Sequence, residues 1–344
     1  MDRLLPFVSI IITNFNGKKY LNDCFKSLED LNYPKDRFEV ILVDNASTDG
    51  SVEYAKKYFK WIKVIVLDKN YGFCKANNIG VKDAKGEYIV LLNNDTKVEK
   101  EWLNELVKGA SIDDKIACCA SKILYFDRKE IINSAGGKFT PVGGGFYLGY
   151  GDHDKQEYNN QQYTGFGCGA GVLVKKSFYN FIGGLDEDYF ASIEEVELGL
   201  KTWLFGYRVL YVPTAIMYHK ESGTFGVKGS FQPIKVYLIT RNRLMNIVKN
   251  FELYNVLLGL IISILFDSYR AFKYLFNNRK SFASVFKAYI DFIKNLKKLK
   301  KKRYFTKKHR KLHDRDLYRL GVMATFKECV IEEIRLNKLI KNGY

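Results

Sequence analysis

The sequence predicts an α/β fold: a mostly parallel sheet flanked by helices, followed by a helical, basic C-terminal region. Three observations predict it. Short β-branched runs alternate with amphipathic stretches through the first 125 residues. Four of those runs end in a cluster of Asn, Asp, Ser or Thr. The basic excess is confined to the last third: residues 236–344 hold 25 Lys and Arg against 8 Asp and Glu, whereas 1–235 hold 30 of each. A neutral domain over 1–235 and a cationic region over 236–344 are expected.

Phe7–Thr13 is a continuous apolar run, as a strand buried on both faces requires. Lys18–Leu31 places Tyr20, Leu21, Cys24, Phe25, Leu28 and Leu31 at helical spacing. Phe38–Val43 is a second strand, Ser51–Phe59 a short helix and Lys63–Leu67 a third strand. Phe73–Ala84 is a helix, Tyr88–Leu92 a fourth strand, Glu99–Ala110 a helix and Lys115–Leu124 a fifth strand. Residues 134–171 are Gly-rich and aromatic and predict loops and hairpins. Val172–Val174 returns to strand, Glu194–Phe205 to helix, and Arg208–Val212 is a strand stopped by Pro213.

A chain of 344 residues with 47% hydrophobic content supports one or two domains. Phe7–Thr13 is too short for a secretory leader, and Asn14 and Asn16 follow it at once. The six cysteines form no CxxC pair, which argues for reduced thiols in a cytosolic protein and against a cysteine zinc site. No P-loop and no HExxH sequence occurs. Gly165–Ala170 formally fits GxGxxA but precedes a strand instead of opening a helix, so it is no dinucleotide fingerprint.

The polar clusters lie where ligands bind in parallel sheets, at the carboxyl ends of strands. Thr13, Asn14 and Asn16 follow the first strand, Asp44-Asn45-Ala46-Ser47-Thr48-Asp49-Gly50-Ser51 the second, Asn70-Tyr71-Gly72-Phe73 the third, and Asn93-Asn94-Asp95 the fourth. One such cluster caps a helix or makes a turn, and Asp49 or Ser51 suits that role. Four in register call for a ligand.

These segments, VSIIITNFNG, VDNASTDGS, NYGFCKANNIG and LLNNDT, resemble the inverting glycosyltransferases of family 2, of GT-A fold and closest to rhamnosyltransferase-like members. GAGVLVKKSFYNFIGGLDEDYF and SIEEVELGLK resemble that family's acceptor-side loop and acidic helix, and the likeness runs over roughly 6–245. The resemblance implies a nucleotide-sugar donor held by Thr13, Asn14, Asn16, Asp44, Asn45, Ser47, Asn70, Gly72, Asn78, Asn93 and Asn94. It implies Mn²⁺ or Mg²⁺ bridging the diphosphate. Asn93-Asn94-Asp95 stands where the family has DxD, so Asp95 is assigned to the metal, and His219 in Tyr218-His219-Lys220-Glu221-Ser222-Gly223 is a further ligand. Gly169, Asp186 and Glu187 fall on the acceptor side. The base that deprotonates the acceptor hydroxyl matches Glu195 or its neighbour Glu194. Glu195 stands where the family has aspartate. The extra methylene moves the carboxylate by about 1.5 Å, and displacement on that scale costs about 10²-fold in rate. The alternative is a catalytically weak nucleotide-sugar- or glycan-binding protein.

In the tail, Asn255–Phe276 is largely apolar, with an unbroken core at Val256–Phe266. That core is too short to span a bilayer, which takes about 20 residues. With 13 Lys and Arg in Lys294–Arg319, the region suits an interfacial helix on an anionic membrane at the inner face of the cell membrane, with a lipid-linked or surface glycan as acceptor. Arg241-Asn242-Arg243 resembles a short RNR-like stretch just after the catalytic domain of related enzymes, which implies that it faces either the donor phosphates or the membrane. A buried helix beside a solvated basic face is the plainer reading. Nucleic acid is set aside, because 1–235 is electrically balanced.

Overall fold

The computed structural model describes residues 5–220 and 232–341, which fall into two compact units. The first holds 5–137, 147–190 and 208–220; the second holds 138–146, 191–207 and 232–341. The expected division at 235/236 is contiguous, whereas these units interleave along the chain.

The first unit opens β1 (Val8–Asn14), α1 (Lys18–Glu29), β2 (Phe38–Asp44), α2 (Ser51–Tyr58), β3 (Lys63–Val66), α3 (Gly72–Asp83) and β4 (Tyr88–Asn93). β1, β2, β3 and β4 pair in parallel. Ile10, Ile11 and Ile12 are all fully buried, since helices cover both faces. Helix α1 buries Leu21, Cys24, Phe25 and Leu28 along one stripe. β5 (Thr96–Val98), α4 (Trp102–Ala110), β6 (Ile116–Tyr125) and β7 (Ile132–Ser134) follow. The chain leaves and re-enters this unit through a two-stranded ribbon, β8 (Gly137–Phe139) and β9 (Gly145–Tyr147). β10 (Gln162–Tyr163), β11 (Gly171–Lys175), α5 (Lys176–Phe181) and β12 (Arg208–His219) complete it.

The sheet order is β10-β12-β6-β11-β4-β1-β2-β3, with β5 on β12 and β7 on β6. β11 lies antiparallel between β4 and β6, so the sheet is mixed beyond its parallel half. Pro213 does not stop β12. The pairing with β6 shifts register between Val212 and Ile216, and a bulge accommodates a proline that a regular ladder would reject. Past the bulge, β12 pairs antiparallel with β5, His219 opposite Thr96.

The second unit is helical: α6 (Glu194–Leu204), α7 (Pro233–Asn250), α8 (Leu253–Asn277), α9 (Arg279–His309), α10 (Asp314–Arg319) and α11 (Phe326–Lys341). Helix α7 turns a polar stripe inward. Asn242, Arg243, Asn246, Lys249 and Asn250 are all buried. Asn242 donates to the carbonyls of Ala191 and Ser192, Arg243 to Val142 and Asn246 to Gly143. Lys249 pairs with Glu197 at 2.7 Å. Buried backbone carbonyls need donors, and α7 supplies them to 138–146 and 191–207. That is why these segments cluster with the C-terminal helices.

Candidate active site

In the first unit, strand register assembles the polar cluster. Asn14 lies opposite Asp44 at the last position of β1 and β2, and Thr13 lies between Val43 and Asn93. Asn14 is the hub: its Nδ2 donates to Asp44 Oδ2 (2.7 Å) and Ser47 Oγ (3.0 Å), and its Oδ1 accepts from Asn94 Nδ2 (2.6 Å). One buried amide thus joins the ends of β1, β2 and β4. Gly17 permits the closeness, since a Cβ there would meet Asn94 Nδ2 at 2.1 Å. Asp44 Oδ1 accepts from the Ser47 amide, and Asn16 takes a positive φ of 52° to accept from the Thr48 amide. Asn tolerates that conformation better than most residues. Asp49 accepts from the amides of Lys18 and Ser51, a turn-closing role.

Asn45 Oδ1 accepts from the Tyr71 amide, and Asn70 Oδ1 from the Gly72 amide, so both hold the loop that opens α3. Gly72 has φ +83°, and a Cβ there would lie 2.5 Å from the Phe190 ring. Asn78 is not brought to the strand ends. Mid-way along α3, its Oδ1 accepts from Tyr179 Oη and the Leu185 amide, and its Nδ2 donates to the Leu185 carbonyl. It braces the 179–187 loop, where Asp186 accepts from the Asp188 amide and Glu187 Oε1 from Asn78. Gly169 sits in the turn before β11, and the next carbonyl, Ala170, accepts from the Asn93 amide.

Asp95 and His219 meet through the β5–β12 pairing. His219 Nε2 lies 3.3 Å from Asp95 Oδ1, with both residues buried. The Lys220 amide donates to the Asp95 carbonyl, and Glu221 to Gly223 lie outside the described residues. Asn133 Oδ1 on β7 is 3.4 Å from His219 Nδ1. A polar group on one ring nitrogen fixes which lone pair the other presents. Sequence reading missed Asn133, because nothing in a three-residue strand inside a loop-rich region marks it.

Glu194 and Glu195 belong to the second unit, at the start of α6. The approach to them is strained: Phe190, Ser192 and Ile193 have φ of 64°, 73° and 74°. Such values are uncommon for any side chain and an outlier for a β-branched one. Glu194 is buried, and its Oε2 has no hydrogen-bond partner among the described residues. Burial, reinforced by the neighbouring Glu195, pushes its carboxyl well above the usual range. Asn242 and Arg243, read as facing phosphate or membrane, are instead buried against backbone and Asp267 in this unit.

A sequence profile described as "Glycosyl transferase family 2" matches residues 9–183. Among curated relatives, the probable glycosyltransferase YdaM of Bacillus subtilis is 26% identical over 230 residues, 65% of this chain and 53% of that protein. The poly(ribitol-phosphate) beta-N-acetylglucosaminyltransferase TarS of Staphylococcus aureus is 34% identical over 109 residues, 31% of this chain and 19% of that protein. TarS residues 1–349, solved with UDP-GlcNAc, match with a TM-score of 0.57 at 18% identity, over 88% of each chain. GalNAc-T7, solved with UDP, GalNAc and Mn²⁺, matches with a TM-score of 0.60 at 21% identity, over 74% of this chain and 49% of that one. These two structures share the GT-A fold with this chain. The chain spans about half or less of the length of its first curated relatives.

Proposed function

Because this chain belongs to glycosyl transferase family 2, we propose that it moves a sugar from a nucleotide-diphosphate sugar to a glycan hydroxyl with inversion. The observation that carries this reading is the single hydrogen-bonded cluster at the ends of β1, β2 and β4. Asp44, Asn14 and Thr13 then bind the nucleoside, with Asn93 at the ribose. The relatives' ligands, UDP with Mn²⁺ and UDP-GlcNAc, support UDP here, with dTDP as the alternative. Glu195 takes the acceptor proton, the freed oxygen attacks the anomeric carbon, and the sugar–diphosphate bond breaks with the electron pair leaving on the nucleotide.

The donor set suits a divalent cation. No group of three His, Cys, Asp or Glu occurs among the described residues, but Asp95 and His219 converge. One or two protein ligands plus substrate phosphates is how such ions bind in phosphate sites. A carboxylate and substrate oxygens suit Mn²⁺ or Mg²⁺. When bound, the ion neutralises charge on the departing diphosphate.

The test is thermal stability with UDP, dTDP, GDP or CDP, each with Mn²⁺ and with EDTA. A nucleotide at 100 times its Kd stabilises the native state by about 2.7 kcal/mol. A metal-dependent shift with UDP or dTDP is expected, and none with any nucleotide would refute the donor site.

The acceptor is a lipid-linked or surface glycan, met at the cytoplasmic face of the cell membrane. Helix α8 exposes Tyr254, Leu258, Ile261, Leu265, Phe272 and Phe276 on one side. It buries Val256, Ser263, Asp267 and Ala271 on the other. By length and composition alone its Leu253–Phe276 stretch suffices to cross a membrane, well beyond the short core read from sequence. The buried Asp267, paired with Arg243, favours lying along the surface instead. On α9, Phe286, Ile290 and Ile293 are exposed at the spacing that continues into exposed Lys297, Lys301 and Lys308, an apolar-then-basic face suited to anionic lipid. Cosedimentation with phosphatidylglycerol vesicles should show binding that weakens with salt. Ile261→Glu should lower it at least about tenfold, since a buried Ile is worth about 1.5–3 kcal/mol. Equal binding of neutral vesicles, or an unaffected Ile261→Glu, would sink this reading.

A further inference from the structure

We propose that Asn242 is a positioning residue for the acidic pair: its side chain locks the 191–193 path and so sets where Glu194 and Glu195 start α6. The inference rests on the reading of Glu195 as the base.

Asn242 is fully buried on α7. Its Nδ2 donates to two consecutive carbonyls, Ala191 at 2.9 Å and Ser192 at 2.8 Å. Its Oδ1 accepts from Arg241 Nε (3.0 Å) and Nη2 (2.9 Å), which fixes which way the amide faces. Both amide hydrogens are therefore spent on the residues immediately before the acidic pair. Those residues need holding, because Ser192 and Ile193 both occupy the left-handed region. Strained conformations persist only where the surroundings over-determine them. The chain has no Gly at 192 or 193 to accept this path without cost.

The path has a consequence. Ile193 is the N-cap of α6 and contributes no side-chain cap to the helix, so the direction in which Glu194 and Glu195 leave is set by the backbone before them. Where Glu replaces Asp as a base, a displaced backbone is one way to restore the carboxylate's position. The left-handed Ser192 and Ile193, with the Ala191 and Ser192 carbonyls held by Asn242, are the part of the backbone that sets that position here.

The experiment compares full-length Asn242→Ala with wild type by hydrogen exchange and by steady-state transfer. Asn242→Ser, which keeps one donor, serves if the alanine protein does not fold. Exchange at the amides of 191–195 should accelerate at least tenfold. The kcat should fall ten- to hundredfold with donor KM and the nucleotide-induced thermal shift unchanged, and the acidic limb of the kcat–pH profile should move. A purely structural role would instead lower the active fraction equally at every pH. Unchanged exchange overturns the proposal, as does faster exchange with unaltered kcat and pH profile. Glu195→Gln, run alongside, separates failures: wild-type transfer in that variant refutes the base reading, whereas the exchange data report the lock directly.

Discussion

Glu195→Gln is expected to lower transfer about 10²–10⁴-fold, the range a general base contributes, with the nucleotide thermal shift retained. A general base must be ionised before it can take a proton. Burial and the neighbouring charge push the Glu194 carboxyl well above the usual range, which makes it the poorer base of the two. Glu195 is half-buried and remains the candidate carboxylate. Glu194→Gln should cost far less rate than Glu195→Gln. It carries its own pH signature. A carboxyl raised in the fold binds more protons there than in the unfolded chain, so stability falls as pH rises above the unfolded value of about 4.3. Gln does not titrate, so the Glu194→Gln protein should gain relative to wild type as pH rises above about 4.3 in urea unfolding. A large rate loss in Glu194→Gln with wild-type rates in Glu195→Gln would reverse the two roles.

How far the sequence carried the reading differs between the units for a physical reason. In the first, local signals coincide with tertiary ones. The Ile10–Ile12 run is buried because helices cover both faces, and Asn14, Asp44 and Asn93 converge because parallel strands in register must end together. Composition alone therefore locates that edge. Pro213 misled, since a proline's tolerance depends on a bulge that only the partner strand reveals. Continuing β12 past it brings His219 to Asp95, a pairing that only the resemblance had suggested. Asn78 shows the converse. Its segment matches the nucleotide-side motif, yet its amide is engaged by Tyr179 and Leu185 about a hundred residues away.

In the second unit the signal is inverted. Asn242, Asn246, Lys249 and Asn250 have the composition of a solvated helix face, yet they are buried. Their partners are carbonyls at 143 and 191–192 and the carboxylate of Glu197, none of them near in sequence. Periodicity identifies a stripe but not its sign when the lining it faces is backbone. The basic excess is accordingly of two kinds. Arg243 and Lys249 are buried and paired, whereas Lys297, Lys301 and Lys308 are exposed. Only the exposed kind is available to an anionic surface.

Asp267→Ala should then destabilise the protein by about 3–5 kcal/mol, the cost of leaving a buried charge without its counter-ion. Arg243 Nη2 lies 2.8 Å from both Asp267 oxygens, and the two side chains are 5% and 2% exposed. Tyr289 Oη also donates to Asp267 at 2.9 Å. Without Asp267 the guanidinium keeps the Val142 carbonyl and Ser263 Oγ, neither of which carries a balancing charge. Removing both charges tests the same idea from the other side. Arg243→Met combined with Asp267→Leu should lose less than Asp267→Ala, because no buried charge is left unpaired; what remains is the cost of the Val142 carbonyl and the Tyr289 hydroxyl losing their partners. Urea unfolding of the three proteins measures both terms. A loss under about 1 kcal/mol in Asp267→Ala would mean that water reaches Arg243, the level typical of exposed pairs. The polar side of α8 would then be solvated, and the case for its lying along a membrane with only the opposite face in lipid would fail with it.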